Sequence, residues 1–227
     1  MANEEKQNNS SFVRDIIIGM SDGLTVPFAL TAGLSGVLST THLIVVSGIA
    51  EIAAGCISMG LGGYLAGESE VEQYQKEILN EYHEIETVPH LELKEVEDIL
   101  MGLGVDEPLS KEVALQISRD KDNWAEFMMK LELKMEKPAH NRAAMSAGTI
   151  AVSYLVGGLI PLLPYVIFTD IHTGFLVSCG FTILALLVFG FFKSVMNGQP
   201  IIVGTLKVTL TGVIAATAAY LLAKAVS

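Results

Sequence analysis

Two acidic side chains lie inside hydrophobic stretches of this sequence. Asp22 falls in the apolar run 13–38 and Glu51 in the run 43–66. In sequence, each is at least about two helical turns from any lysine or arginine. A carboxylate at bilayer depth costs about 3 kcal/mol or more unless a cation, a proton or a pathway compensates it. The two residues therefore predict a route for a cation.

The polar middle of the chain repeats glutamates at the spacing of one helical turn. Residues three or four apart share a helix face, so each set can offer two or more ligand atoms to one ion. Three such faces brought together predict a polynuclear cation site. Carboxylates alone suit Mg, Ca or Mn, whereas thioether sulfur favours Fe(II) or a later transition metal. The candidate ligands are Glu81, Glu84, Glu92, Glu95, Met128, Met129 and Glu132.

Each of these residues also has an ordinary structural interpretation. A Glu-x-x-Glu pair on an exposed helix is usually a solvated face. Met128 shares an apolar stripe with Trp124 and Leu131, which is typical of a core residue. Met129 lies off that stripe and is the better candidate ligand. Nearby, His83 is either an outer ligand or a solvent-facing residue, and the same holds for His90.

The membrane carboxylates have alternatives as well. Asp22 is suited to cap a helix that resumes at Leu24. Glu51 can be neutral and hydrogen-bonded at a helix interface. Met59 follows Glu51 by eight residues, about 80° around a helix, and is either a soft ligand or a packing residue.

Five stretches are long and apolar enough to cross about 30 Å of hydrocarbon as helices. Glycines in the first two predict close contacts with neighbouring helices. Pro161 and Pro164 predict the end of the third. The five predicted spans are 13–38, 43–66, 143–163, 171–192 and 201–225.

The charged residues are concentrated between the second and third spans. Residues 68–142 contain 19 of the 25 acidic and nine of the 14 basic residues, a net charge of −10 within a chain total of −11. Such an acidic block attracts cations and excludes nucleic acid as a partner. Cys56 and Cys179 lie in apolar runs, so they predict neither a disulfide framework nor a zinc motif. The polar start of the chain predicts no cleavable signal peptide.

The acidic block has helical periodicity. We expect 67–86 to prolong the second span and to end at Val88-Pro89. Further helices are predicted over 91–101, from Asp106 onward with Leu109, Val113, Leu115 and Ile117 as its apolar face, and from Trp124 to Pro138. The sequence thus predicts an all-α membrane protein with three parts: 1–66 with two spans, a helical block over 67–142, and 143–227 with three spans.

Lysines and arginines indicate the orientation. With five spans, the N-terminus, the acidic block and Lys193 lie on one side, which the positive-inside rule makes cytoplasmic. The C-terminus then lies opposite. Lys207 fits less well and either extends to the interface or pairs with a carboxylate.

Two stretches resemble the signature of the vacuolar iron transporter family. They are residues 14–30, RDIIIGMSDGLTVPFAL, and residues 50–66, AEIAAGCISMGLGGYLA. The resemblance extends over the whole chain, including the five spans and the acidic insert. It implies a homodimer in which the first two helices of each subunit line a shared pathway, and a ferrous-iron/proton antiport.

The family's functional residues match positions in this chain. The membrane pathway falls on Asp22, Glu51 and Met59. The family's cytoplasmic metal-binding domain of three helices falls on Glu81, Glu84, Glu92, Glu95, Met128, Met129 and Glu132. The resemblance implies Fe²⁺ as substrate, protons as the exchanged ion and no prosthetic group.

Three functions remain open from the sequence. The first is export of Fe²⁺ from the cytoplasm in exchange for protons. The second is the same mechanism with Mn²⁺, and Co²⁺ and Zn²⁺ are further candidate ions. The third is a membrane-tethered metal buffer or sensor, which would have no need of Asp22 or Glu51. The short stretch ahead of the first span leaves both a vacuolar and a prokaryotic cytoplasmic membrane open.

Overall fold

The computed structural model describes residues 2–226, with side chains from residue 11 onward, and every regular element in that range is an α-helix. The helices are α1 (Ala2–Ser35), α2 (Thr41–Thr87), α3 (Pro89–Gly102), α4 (Glu107–Ile117), α5 (Lys121–Leu131), α6 (Arg142–Ile167), α7 (Ile171–Met196) and α8 (Ile201–Val226). Five of them, α1, α2, α6, α7 and α8, are long and apolar enough to cross a membrane. The predicted all-α membrane class and its five spans are confirmed.

The chain forms two compact units. The membrane unit comprises the residues up to Leu65 together with those from Ala143 onward, and the acidic unit comprises Ala66–Arg142. Helix α2 contributes to both, because it continues past its apolar half to Thr87. Pro89 then starts α3, since a proline fits the first turn of a helix but not its interior.

Glycines bring the helices of the membrane unit into backbone contact. A Cβ at Gly19 would collide with the carbonyl of Ile150 on α6, and one at Gly63 would lie 2.7 Å from the Ile150 side chain. Helix α8 packs along α1 and α7. Because lipid tails are as apolar as leucine, close packing of this kind is the main attraction between membrane helices.

The third span does not end at its prolines. Helix α6 continues through Pro161 and Pro164 to Ile167, so the predicted end was wrong. The Ser178 hydroxyl of α7 donates a hydrogen bond of 2.7 Å to the Pro161 carbonyl. This contact holds α7 against α6 beside the prolines, and membrane helices tolerate proline where neighbouring helices pack against them.

The acidic unit has a small apolar core. Its members are Ile85, Val96, Leu100, Ala114, Trp124, Ala125 and Met128. The predicted apolar face of α4 was partly wrong, because Leu109 and Leu115 are 47% and 57% exposed while Ser110 and Ala114 are buried. Successive residues of a helix are about 100° apart around its axis. With Ala114 directed into the core, the next residue, Leu115, therefore turns away from it.

Helix α5 ends at Leu131 rather than at Pro138. Lys134 adopts a left-handed backbone with φ of 53°. The Met135 N–H turns back to donate to the Met129 carbonyl at 2.8 Å. These contacts replace continued helix, and they place Glu132 at the C-terminal cap of α5.

Candidate ion pathway and metal-binding cluster

Asp22 lies in the middle of a continuous helix. Helix α1 runs unbroken from Ala2 to Ser35, so the capping role considered for Asp22 is excluded. The side chain is partly buried. The next residue, Gly23, packs against the backbone of Tyr154 on α6, where an added Cβ would lie 2.9 Å from the Tyr154 Cα. This contact fixes α1 closely against α6 at the level of the carboxylate.

Glu51 is the corresponding carboxylate of α2. The Tyr154 hydroxyl donates a hydrogen bond to Glu51 Oε1. Glu51 Oε2 is buried and has no hydrogen-bond partner in the part of the chain that the structure describes. An unpaired buried oxygen is costly, so Glu51 Oε2 is suited to accept a proton or a cation.

Tyr154 therefore connects α1, α2 and α6. Its backbone contacts Gly23, while its ring lies so close to Gly55 of α2 that any Cβ there would collide with it. Tyr154 was not among the functional residues predicted from the sequence. A tyrosine in an apolar span needs a partner for its hydroxyl, and that requirement was the available signal.

Met59 lies further along α2 and is partly buried. Eight residues of helix place its Cα about 12 Å from that of Glu51. Its neighbour Gly60 faces α6, since a Cβ there would lie 3.2 Å from the Ala151 Cβ. Met59 thus remains a candidate soft ligand, about two helical turns from Glu51 on the same helix.

The acidic unit brings three of the predicted glutamates together. Glu81, Glu84 and Glu92 each offer a carboxylate oxygen, and these oxygens lie within 4.8 Å of one another. Glu81 and Glu92 are each only 4% exposed, whereas Glu84 is exposed. The Oε2 atoms of Glu81 and Glu92 are buried without a hydrogen-bond partner among the described residues. A divalent cation would satisfy this arrangement of oxygens.

The electrostatics of the cluster reflect its crowded negative charge. Burial, and then the charges of neighbouring glutamates with Glu132 first among them, raise the pKa of Glu81 to about 7. Burial and then the charge of Glu95 raise the pKa of Glu92 to about 7. Burial followed by Glu95 and Glu84 also raises the pKa of Glu132. All of the predicted glutamates are therefore close enough for their negative charges to repel one another.

The two methionines are both inside the acidic unit. Met128 is 0% exposed and belongs to the apolar core with Trp124 and Ile85, which favours its packing role. Met129 is 1% exposed and lies outside that core cluster. His83 and His90 are exposed, and His83 contributes no ligand atom to the three-glutamate group.

Two basic residues have clear environments. Arg142 Nε donates a hydrogen bond of 3.1 Å to Glu70 Oε2, and the arginine side chain is only 7% exposed. This ion pair within the acidic unit was not predicted. Lys207 is exposed on α8 and makes no ion pair with a carboxylate among the described residues.

The fold defines a multi-pass type of membrane protein, with five membrane-capable helices and an acidic helical insert between the second and the third of them. A model of the VIT family matches residues 13–224. The chain belongs to the VIT family.

Similar proteins match over most of this chain. Vacuolar iron transporter 1 of Oryza sativa is 45% identical over 223 residues, covering 98% of this chain and 88% of the relative. A vacuolar iron transporter of Centaurea cyanus is 49% identical over 212 residues, covering 93% and 86%. Protein CCC1 of Saccharomyces cerevisiae is 40% identical over 189 residues, covering 82% of this chain and 58% of that protein.

Proposed function

We propose that this protein exports Fe²⁺ from the cytoplasm in exchange for protons. Membership of the VIT family supports transport, and relatives that share nearly half of its residues are named as vacuolar iron transporters. The observation that carries the mechanism is a partly buried carboxylate on each of two apolar helices, Asp22 on α1 and Glu51 on α2, both close to Tyr154.

Asp22, Glu51 and Met59 form the proposed pathway. Their oxygen and sulfur atoms replace part of the hydration shell of the ion as it leaves water. A carboxylate holds either a metal ion or a proton, so protons arriving from the far side displace the metal and restore the site. Tyr154 orients Glu51 and leaves its second oxygen available to the ion.

The acidic unit is the proposed collector. Its net negative charge raises the local concentration of cations. Glu81, Glu84 and Glu92 then bind the ion, with Glu95, Met129 and Glu132 as further ligands. Because tight binding along the pathway would stall turnover, the membrane ligands should be weaker than the collector.

The assembly and orientation follow from the same proposal. Two copies form a homodimer in which α1 and α2 of each line the pathway. Residues 67–142 face the cytoplasm, where the basic residues are concentrated. The membrane is that of the vacuole in a cell that has one, and otherwise the cytoplasmic membrane.

Transport in proteoliposomes tests this function. Purified protein is reconstituted with a metal-sensitive dye and a pH-sensitive dye inside, and Fe²⁺ is added under reducing conditions. We expect metal entry coupled to proton exit. Competition by Mn²⁺, Co²⁺ and Zn²⁺ identifies the preferred ion. Metal binding without entry would instead establish a tethered buffer or sensor.

A further inference from the structure

The two candidate thioether ligands of the acidic unit belong to one short helix, together with one candidate glutamate. Met128 and Met129 lie in α5, and Glu132 forms its C-terminal cap. The oxygen ligands Glu81 and Glu84 lie instead on α2. A preference for softer ions, which thioether ligands would confer, therefore depends on how α5 is held against α2.

Two polar contacts join the start of α5 to α2. The Tyr82 hydroxyl donates a hydrogen bond of 2.8 Å to Asp122 Oδ1. Lys121 Nζ lies 2.9 Å from Glu86 Oε1, but these side chains are 58% and 62% exposed. Exposed ion pairs contribute little, so the tyrosine contact is the more informative of the two.

Tyr82 is built to hold a fixed position. Its ring packs against the apolar core of the acidic unit, which contains Trp124 and Met128. Its hydroxyl meets Asp122 at the first turn of α5. A hydrogen bond from a packed ring restricts its partner more than one from a flexible chain does.

The contact also defines the direction of α5. Tyr82 meets Asp122, whereas Tyr74, two turns earlier on α2, lies within electrostatic range of Glu126 and Lys130. Helix α5 therefore runs antiparallel to this part of α2. Since both elements are helices, fixing one end of α5 also fixes the residues six and more positions later.

We propose that Tyr82, by its hydrogen bond to Asp122, positions Met129 and Glu132 against the α2 glutamates and thereby sets the preference for softer divalent ions over Mn²⁺. This inference rests on the proposed collector function. Tyr82 is a positioning residue, because its own hydroxyl is committed to Asp122 rather than to the ion.

The test compares Co²⁺ and Mn²⁺ binding to the full-length protein by titration calorimetry. All variants carry Met59→Leu, which removes the candidate thioether of the membrane unit. We expect Tyr82→Phe to lower the ratio of Co²⁺ to Mn²⁺ affinity about five-fold, the effect typical of one lost hydrogen bond. Binding of Mn²⁺ to the oxygen ligands should change little.

Two further variants serve as controls. Asp122→Asn keeps an acceptor oxygen without the charge and should give an intermediate ratio. Tyr74→Phe removes a hydroxyl that makes no hydrogen bond among the described residues of the chain, and it should leave the ratio unchanged.

The outcomes separate the possible roles of Tyr82. If Tyr82→Phe lowers the unfolding temperature but keeps the ratio, or weakens both ions equally, the positioning role is wrong. If the protein with an intact Tyr82 binds neither ion in its acidic unit, the collector proposal itself fails, and this inference fails with it.

Discussion

The carboxylates of the membrane unit and those of the acidic unit occupy opposite environments. Glu51 is held by one neutral donor, the Tyr154 hydroxyl, between helices in backbone contact. Glu81 and Glu92 instead lie among several like charges. Under the proposed function, transport through the pathway would depend on single residues, whereas the collector would share ion binding among several glutamates.

The largest loss of transport is expected from substitutions in the membrane unit. Asp22→Asn keeps the volume but removes the charge and the exchangeable proton. Losing about 2.7 kcal/mol of ion stabilisation would slow Fe²⁺ uptake by proteoliposomes about 100-fold. Glu51→Gln should behave in the same way.

Metal binding by the acidic unit is the internal control for both variants. It should stay intact, because neither residue belongs to that unit. Near-normal uptake and proton counterflow in Asp22→Asn would remove the pathway role of this residue.

Backbone packing is the next point to test. Gly23→Ala would place a Cβ 2.9 Å from the Tyr154 Cα, and overpacking of this kind costs about 1–3 kcal/mol. Gly180→Ala is the matched control, since no atom lies within 4 Å of its added Cβ. Thermal unfolding in detergent should show a lower midpoint for Gly23→Ala than for the unchanged protein, whereas Gly180→Ala should leave the midpoint unchanged. Equal midpoints would show that the α1–α6 contact is not tight.

Changes in the collector should have smaller effects on transport. Glu92→Ala with Glu95→Ala should lower the number of ions bound in titration calorimetry. Uptake should slow several-fold at low metal concentration and recover at high concentration, because the pathway is intact. Glu97→Ala with Asp98→Ala removes the same charge from α3 and is the control. An unchanged number of bound ions would make Glu92 and Glu95 an ordinary polar face.

The smallest predicted effect is a pH dependence of the metal-free acidic unit. The folded pKa of Glu81 and of Glu92 is about 7, above the ordinary 4.5. The folded state therefore retains protons that the unfolded state releases, and stability falls as the pH rises from about 4.5 through 7. After allowance for solvent screening, we expect a loss of about 1 kcal/mol and a midpoint about 5 °C lower at pH 8 than at pH 5.

Trp124, the single tryptophan of the chain, reports this transition by its fluorescence. It is 4% exposed and lies in the core of the acidic unit. Glu81→Gln with Glu92→Gln should flatten the pH dependence, and added Co²⁺ should offset the loss at pH 8. A midpoint that rises from pH 5 to pH 8 would contradict the crowding of charge in this cluster.

Much of the fold could be predicted from local sequence. The five spans follow from apolar length, and the helix break at Pro89 follows from proline geometry. The positions of Asp22 and Glu51 stand out because charge is rare in such runs. These are properties of neighbouring residues in the chain, so no tertiary information is needed to detect them.

Other features depend on distant parts of the chain. Pro161 stays inside α6, and its carbonyl accepts a hydrogen bond from Ser178 of α7. Glu51 has Tyr154 as its donor across 103 residues of sequence. Glu92 of α3 joins Glu81 and Glu84 of α2 only after the helices pack. Sequence spacing determined which residues share a face of one helix, but only the tertiary structure decided which faces meet, because contacts between helices are set by the packing of whole surfaces.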